Sequence, residues 1–134
     1  MELYKLTEDV RVIGMRVSNF PDGIEETFGV IMKTLGRERD FYGISWMDEN
    51  ENVEFYAMAK EAFPGEGKNY GYELLVLEKG DYETEAVHNW KAKIDSIKDV
   101  LHELMGNSKP DKTHPCIEWY QSDEKMVCMI KALK

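Results

Sequence analysis

The sequence predicts one α+β domain built from a duplicated βαββ unit, with an antiparallel sheet, two main helices and a central cleft on a pseudo-twofold axis. Three observations predict it. Seven short runs rich in β-branched and aromatic residues are separated by turn residues. Two stretches carry apolar residues at helical spacing. The order strand, helix, hairpin occurs twice, with Ile44-Ser45-Trp46 and Ile117-Glu118-Trp119 offset by 73 residues.

The elements follow in chain order. A strand is expected over Val10 to Ser18. Ile24, Phe28, Ile31 and Leu35 step by four, three and four and define the first helix, with Asp22 and Glu25 placed as a capping box after Pro21. Strands over Tyr42 to Met47 and Val53 to Lys60 flank the polar run Asp48 to Asn52, a hairpin turn that lacks the glycine and distant glutamate of a calcium loop. Gly65, Gly67 and Gly71 surround Lys68 in a segment that is neither a Walker loop nor a dinucleotide fingerprint, so a mobile loop is expected there. Strands are expected over Tyr72 to Leu77 and Tyr82 to Val87. Trp90, Ile94, Ile97, Leu101 and Leu104 define the second helix, opened by Asn89 and closed by Gly106-Asn107. Cys116 to Gln121 and Met126 to Leu133 form the last hairpin around Ser122 to Lys125. The whole chain, 1–134, reads as a single domain, with pseudo-repeats at about 1–62 and 72–134.

Composition excludes several classes of function. Seventeen basic residues against 26 acidic ones give a net charge of −9, a field that repels phosphate backbones, so direct nucleic-acid binding is not expected. Uninterrupted apolar runs reach five residues, as in Phe55 to Ala59, far below the ~20 that span a bilayer. The N-terminus has neither the basic nor the apolar region of a secretory signal, and a cytoplasmic protein is expected. Cys116 and Cys128 lack metal or redox spacing and read as small buried hydrophobes. His88, His102 and His114 show no ligand spacing, so neither a metal nor a cofactor is expected.

One position carries chemistry. Strand alternation places Cys116, Glu118 and Tyr120 on one face and Ile117 and Trp119 on the other. Glu118 is a carboxylate among residues that prefer burial, and a buried carboxylate is costly unless something compensates it. An organic cation would supply the countercharge, with Tyr42, Trp46, Tyr56, Tyr72 and Trp90 as candidate aromatic walls offering about 0.5–2 kcal/mol per desolvated cation–π contact.

Tyr42-Gly43-Ile44-Ser45, Trp90 and Pro115-Cys116-Ile117-Glu118-Trp119-Tyr120 together resemble the gyrase-inhibitor-like effector-binding domains of bacterial, AraC-type transcription activators. The resemblance runs from about Val10 to Leu133. It implies a duplicated βαββ fold and a cleft for lipophilic cations, with aromatic side chains and one acid on the penultimate strand, which is Glu118 here. It also implies two alternatives: hydrolysis of strained, cyclopropane-type electrophiles with Glu118 as general base and Tyr120 or Tyr56 as hydroxyl donor, or inhibition of a protein partner such as a gyrase. The chain departs from the family at Asn69-Tyr70-Gly71-Tyr72, and its 134 residues leave no room for the DNA-binding domain that many relatives carry.

Overall fold

The computed structural model describes residues 2–18, 22–47, 53–93 and 115–131. Eight strands, β1 (Glu2–Leu6), β2 (Val10–Arg16), β3 (Phe41–Met47), β4 (Val53–Lys60), β5 (Glu73–Leu77), β6 (Gly80–His88), β7 (Cys116–Tyr120) and β8 (Lys125–Lys131), form one antiparallel sheet. Its order is β1-β6-β8-β7-β3-β4-β2-β5. Outward from the central β7–β3 pair, β8 and β6 on one side answer β4 and β2 on the other. Ile44 and Ile117, which the 73-residue offset equates, face each other across that pair.

This order forces the sheet to curl. β5 lies at one edge and β6 lies next to the other, yet only Glu78 and Lys79 connect them. In a flat sheet those strands would be about 29 Å apart, six spacings of ~4.8 Å. A two-residue link reaches ~11 Å. The same conflict holds for β1 and β2, joined by Thr7 to Asp9. Both links are short enough only if the edges swing toward each other, and a 2.8 Å hydrogen bond from the Lys79 backbone N–H to Asp9 Oδ1 ties the two links together. Side chains from both edges, Leu6 and Leu77, pack into one cluster with Ile44, Met58, Ile117 and Met129, which marks that face as the inside of the curl. Tyr82 joins the cluster and donates its hydroxyl to the Glu78 carbonyl at 2.6 Å.

The outer face is covered by α1 (Ile24–Leu35), whose Phe28 and Ile31 pack on Phe41, Phe55, Ala57 and Ala59. The helix forms where the apolar spacing places it, but its cap differs from the expected box. Gly23, at φ 87°, is the N-cap and no side chain caps the first turn.

The expectation of two main helices is corrected by the structure, since α1 is the one α-helix among the described residues. Trp90–Lys93, expected as the first α-turn, is a 3-10 turn. Its start is pinned elsewhere: the Trp90 backbone N–H bonds the Glu124 carbonyl and its indole N–H bonds the Ser122 carbonyl, after Asn89 in the left-handed region at φ 54°. The rest of that helical pattern, to its expected close at Gly106-Asn107, lies outside the described residues, as does the Asp48–Asn52 turn. Strand β1 was not legible in the sequence. It is a mostly exposed edge strand and carries no apolar alternation.

The glycine-rich segment is anchored rather than loose. Glu66–Tyr70 is a 3-10 turn, and Glu66, 4% exposed, accepts hydrogen bonds from Arg39 Nη1 at 2.8 Å, Arg39 Nη2 at 3.2 Å and the Ala62 N–H at 3.0 Å. Arg39 also donates to the carbonyls of Leu35 and Lys60, so one guanidinium joins the end of α1, the end of β4 and this turn. The Arg39 hydrogen bonds, which outweigh the burial of the carboxyl, hold Glu66 below its ordinary value. Its stabilising contribution is therefore present at neutral pH and lost as pH falls through that depressed value. Arg39→Ala should destabilise the fold by about 2–3 kcal/mol in urea denaturation at pH 7, because it strands a buried carboxylate. The difference from the parent chain should shrink on acidification, as pH falls through the depressed value and Glu66 becomes neutral in both.

Candidate functional site

Glu118 lies on the outer face of β7, in the middle of the sheet. Its cross-strand neighbours are Gly43 on β3 and Cys128 on β8, with Ala57 the next residue outward beyond Gly43. Small residues thus flank the acid on both neighbouring strands. The space over Gly43 is filled from above: a methyl group at that position would lie 2.6 Å from Phe55 Cζ and 2.7 Å from Tyr120 Oη. The glycine is required here by close approach of neighbouring side chains, not by a special backbone angle.

Tyr120, two residues along the same face, donates its hydroxyl to Glu118 Oε1 at 2.8 Å. Its ring is held on two sides, edge-on to Phe28 of α1 with centroids 5.4 Å apart and against Trp90 at 5.1 Å. Trp90 is in turn fixed to the β7–β8 turn through its indole N–H. Burial pushes the Glu118 carboxyl above the usual carboxylate range, opposed by the weaker pull of the Tyr120 hydrogen bond. Burial and the adjacent carboxylate raise the Tyr120 phenol well above its ordinary value, so it remains a donor. Cys128, beside the acid, is pushed up to about 12 by burial and by Glu118, which leaves it an inert thiol at neutral pH. Among the described residues no cationic side chain pairs with Glu118. The result is a partly buried acid with a fixed hydrogen-bond donor in Tyr120, suited to meeting a positive charge or to accepting a proton.

The sheet separates the expected aromatic residues. Tyr120, Trp90 and Tyr72 are on the outer face with Glu118, although Tyr72 packs with the α1 cluster and its ring contact is with Tyr70. Tyr42, Trp46 and Tyr56 point into the curl on the opposite face. Trp46 and Tyr56 form an edge-on pair there at 5.8 Å, and Tyr42 stacks against Trp119 at 6.1 Å. Tyr56 therefore has no access to the acid, and of the two proposed hydroxyl donors only Tyr120 is beside it. Phe28, Phe55 and Gly43 belong to the site but were not singled out in the sequence. Phe28 and Phe55 carry ordinary core signals, and the need for Gly43 arises only from β3–β7 pairing. Among the described residues no group of His, Cys, Asp and Glu is arranged to hold a metal, and no helix is long and apolar enough to cross a membrane.

No protein-family model matches the chain, and no curated protein matches it in sequence. Solved structures do share its fold. The integron cassette protein VCH_CASS2 from the mobile metagenome of Vibrio cholerae superposes with a TM-score of 0.72 at 13% identity, over 98% of this chain and 95% of that one. SAV2435, solved bound to tetraphenylphosphonium, gives 0.62 at 12% identity, over 99% and 93% of the two chains. A hydrolase from Listeria innocua gives 0.59 at 12% identity, over 98% and 90%. At these identities the likeness defines the fold.

Two outcomes follow from the packing around the acid. Gly43→Ala should destabilise the protein by about 1–3 kcal/mol in chemical denaturation, with part of that loss recovered when Tyr120→Phe removes the clashing hydroxyl. Glu118→Gln should have the opposite sign. Because the folded state raises the Glu118 pKa, the fold loses stability as pH rises from the unfolded value through the folded one. The amide removes that loss, so the variant should melt on the order of a few degrees higher at pH 7 and coincide with the parent near pH 4. A variant less stable than the parent at pH 7 would contradict the desolvation argument.

Proposed function

We propose that this chain is a small-molecule-binding protein of the gyrase-inhibitor-like kind, a single cytoplasmic domain of two pseudo-repeats that holds an amphipathic organic cation at Glu118. The observation that carries the reading is a partly buried carboxylate whose pKa is raised by burial, with a fixed tyrosine donor and, among the described residues, no cationic partner. A cation docking there replaces the water the carboxylate has lost, and the Tyr120 and Trp90 rings add cation–π attraction. The shared fold of a protein solved with tetraphenylphosphonium supports the choice of ligand class. Tyr42, Trp46 and Tyr56, on the other face, are not assigned to this ligand.

The experiment is a titration of the parent chain and Glu118→Gln with tetraphenylphosphonium and with neutral triphenylphosphine oxide, followed by tryptophan fluorescence. The charge-assisted contribution, about 1.5–3 kcal/mol, should appear as a roughly 10- to 100-fold loss for the cation and less than twofold for the neutral compound. Equal losses for both, or no binding of the cation by the parent chain, would remove the reading.

A second reading rests on the same pair. A carboxylate with a raised pKa can deprotonate water, and Tyr120 can donate to a developing anion, which is the equipment for hydrolysing a strained cyclopropane-type electrophile. Single-turnover product analysis separates the two, since a binder returns its ligand unchanged.

A further inference from the structure

The inside of the curl holds a cavity of about 420 Å³ that opens at the seam where the Thr7–Asp9 link meets β5 and β6. Its floor is apolar, made by buried Leu77, Ile117 and Met129. One wall is aromatic. Trp119 stacks on Tyr42 with centroids 6.1 Å apart and 22° between planes, and Tyr4 packs against the indole at 6.0 Å, tilted by 55°. In that wall the Trp119 Nε1–H is shut off from solvent and has no hydrogen-bond acceptor, the one such buried side-chain polar atom among the described residues. An unpaired buried donor is worth about 1–3 kcal/mol to whatever accepts from it.

Most of the charged residues around the opening are exposed, and several are already engaged. Arg11 pairs with Glu61 at 2.8 Å and Asp9 accepts the Lys79 N–H. Asp40 and Lys60 bring opposite signs to the same opening. No charge lies on the floor, in contrast to the outer face, where Glu118 dominates. Tyr4 is 37% exposed, and its strand is an edge held only by β6, so it is the ring that can shift to let an acceptor reach the indole.

We infer that this cavity is a second small-molecule site, distinct from Glu118, for a flat, uncharged aromatic molecule of two or three fused rings whose carbonyl or ring nitrogen accepts from Trp119 Nε1. The ring system lies against Tyr42 and Trp119, above the aliphatic floor. The two sites differ in chemistry because the sheet puts an acid on one side and an unpaired donor on the other.

The probe is 7-amino-4-methylcoumarin, which is planar and carries a carbonyl, compared with 2-naphthylamine, which has similar shape and no carbonyl. The coumarin should bind the full chain with one saturable site, roughly tenfold tighter than the naphthalene. Trp119→Phe, which keeps an aromatic wall and removes the donor, should weaken the coumarin about tenfold and leave the naphthalene within twofold, the tenfold corresponding to about 1.4 kcal/mol. Thr7→Trp, at an exposed position in the seam, should fill the opening and weaken both probes by more than tenfold. Glu118→Gln, and saturating tetraphenylphosphonium, should change coumarin affinity less than twofold, which separates this site from the one proposed above. Absence of saturable coumarin binding, binding indifferent to Thr7→Trp, or displacement by tetraphenylphosphonium would overturn the inference.

Discussion

Two short links control this molecule. Glu78-Lys79 and Thr7 to Asp9 each join strands that lie six positions apart in sheet order, and neither could span that distance in a flat sheet. The sheet must therefore curl until its two edges approach, and the Lys79 N–H to Asp9 hydrogen bond ties the two links together. Rolling gives the two faces different fates. The inner face buries Val12, Ile44, Met58 and Ile117 with no helix needed to cover them, while the outer face requires α1 and the Trp90 turn as cover.

Glu118 sits on the face that needs a cover, and this gives the acid its character. Tyr120, braced by Phe28 of α1 and by Trp90, donates to the carboxyl, and none of the three supplies a positive charge, so burial outweighs the Tyr120 hydrogen bond. A fold selected for stability alone would place an amide or an apolar residue there. Under the proposed function, a bound cation would offset that cost. Arg39 and Glu66 make the opposite arrangement elsewhere in the fold: there the buried carboxylate is met by a bidentate guanidinium and a backbone N–H, and its pKa falls. The same residue type is structural in one place and chemically poised in the other, and the difference is the partner.

Legibility in the sequence followed the range of the forces involved. The boundaries of α1 and the existence of seven strands were readable because apolar periodicity is a local signal. Strand β1 was not, because an exposed edge strand needs no alternation. The first turn of α1 took a left-handed Gly23 as its cap where Asp22 and Glu25 matched a capping pattern. The second helical pattern began where Trp90 is bound instead to the distant Ser122 and Glu124, a contact thirty residues away that no local reading supplies.

For the site, the sequence by itself determined that Glu118 and Tyr120 share a face, since alternation along a strand is fixed by backbone geometry. It also determined that the acid stands among residues that avoid water. Only the tertiary structure decided which aromatic side chains accompany it. Tyr42, Trp46 and Tyr56 project from the other face into the curl, while Phe28 and Trp90 arrive from elements distant in sequence, and Gly43 matters because β3 pairs with β7. Strand pairing and curl are set by contacts summed over the whole sheet, so the composition of either face is a property of the folded chain and not of any one segment.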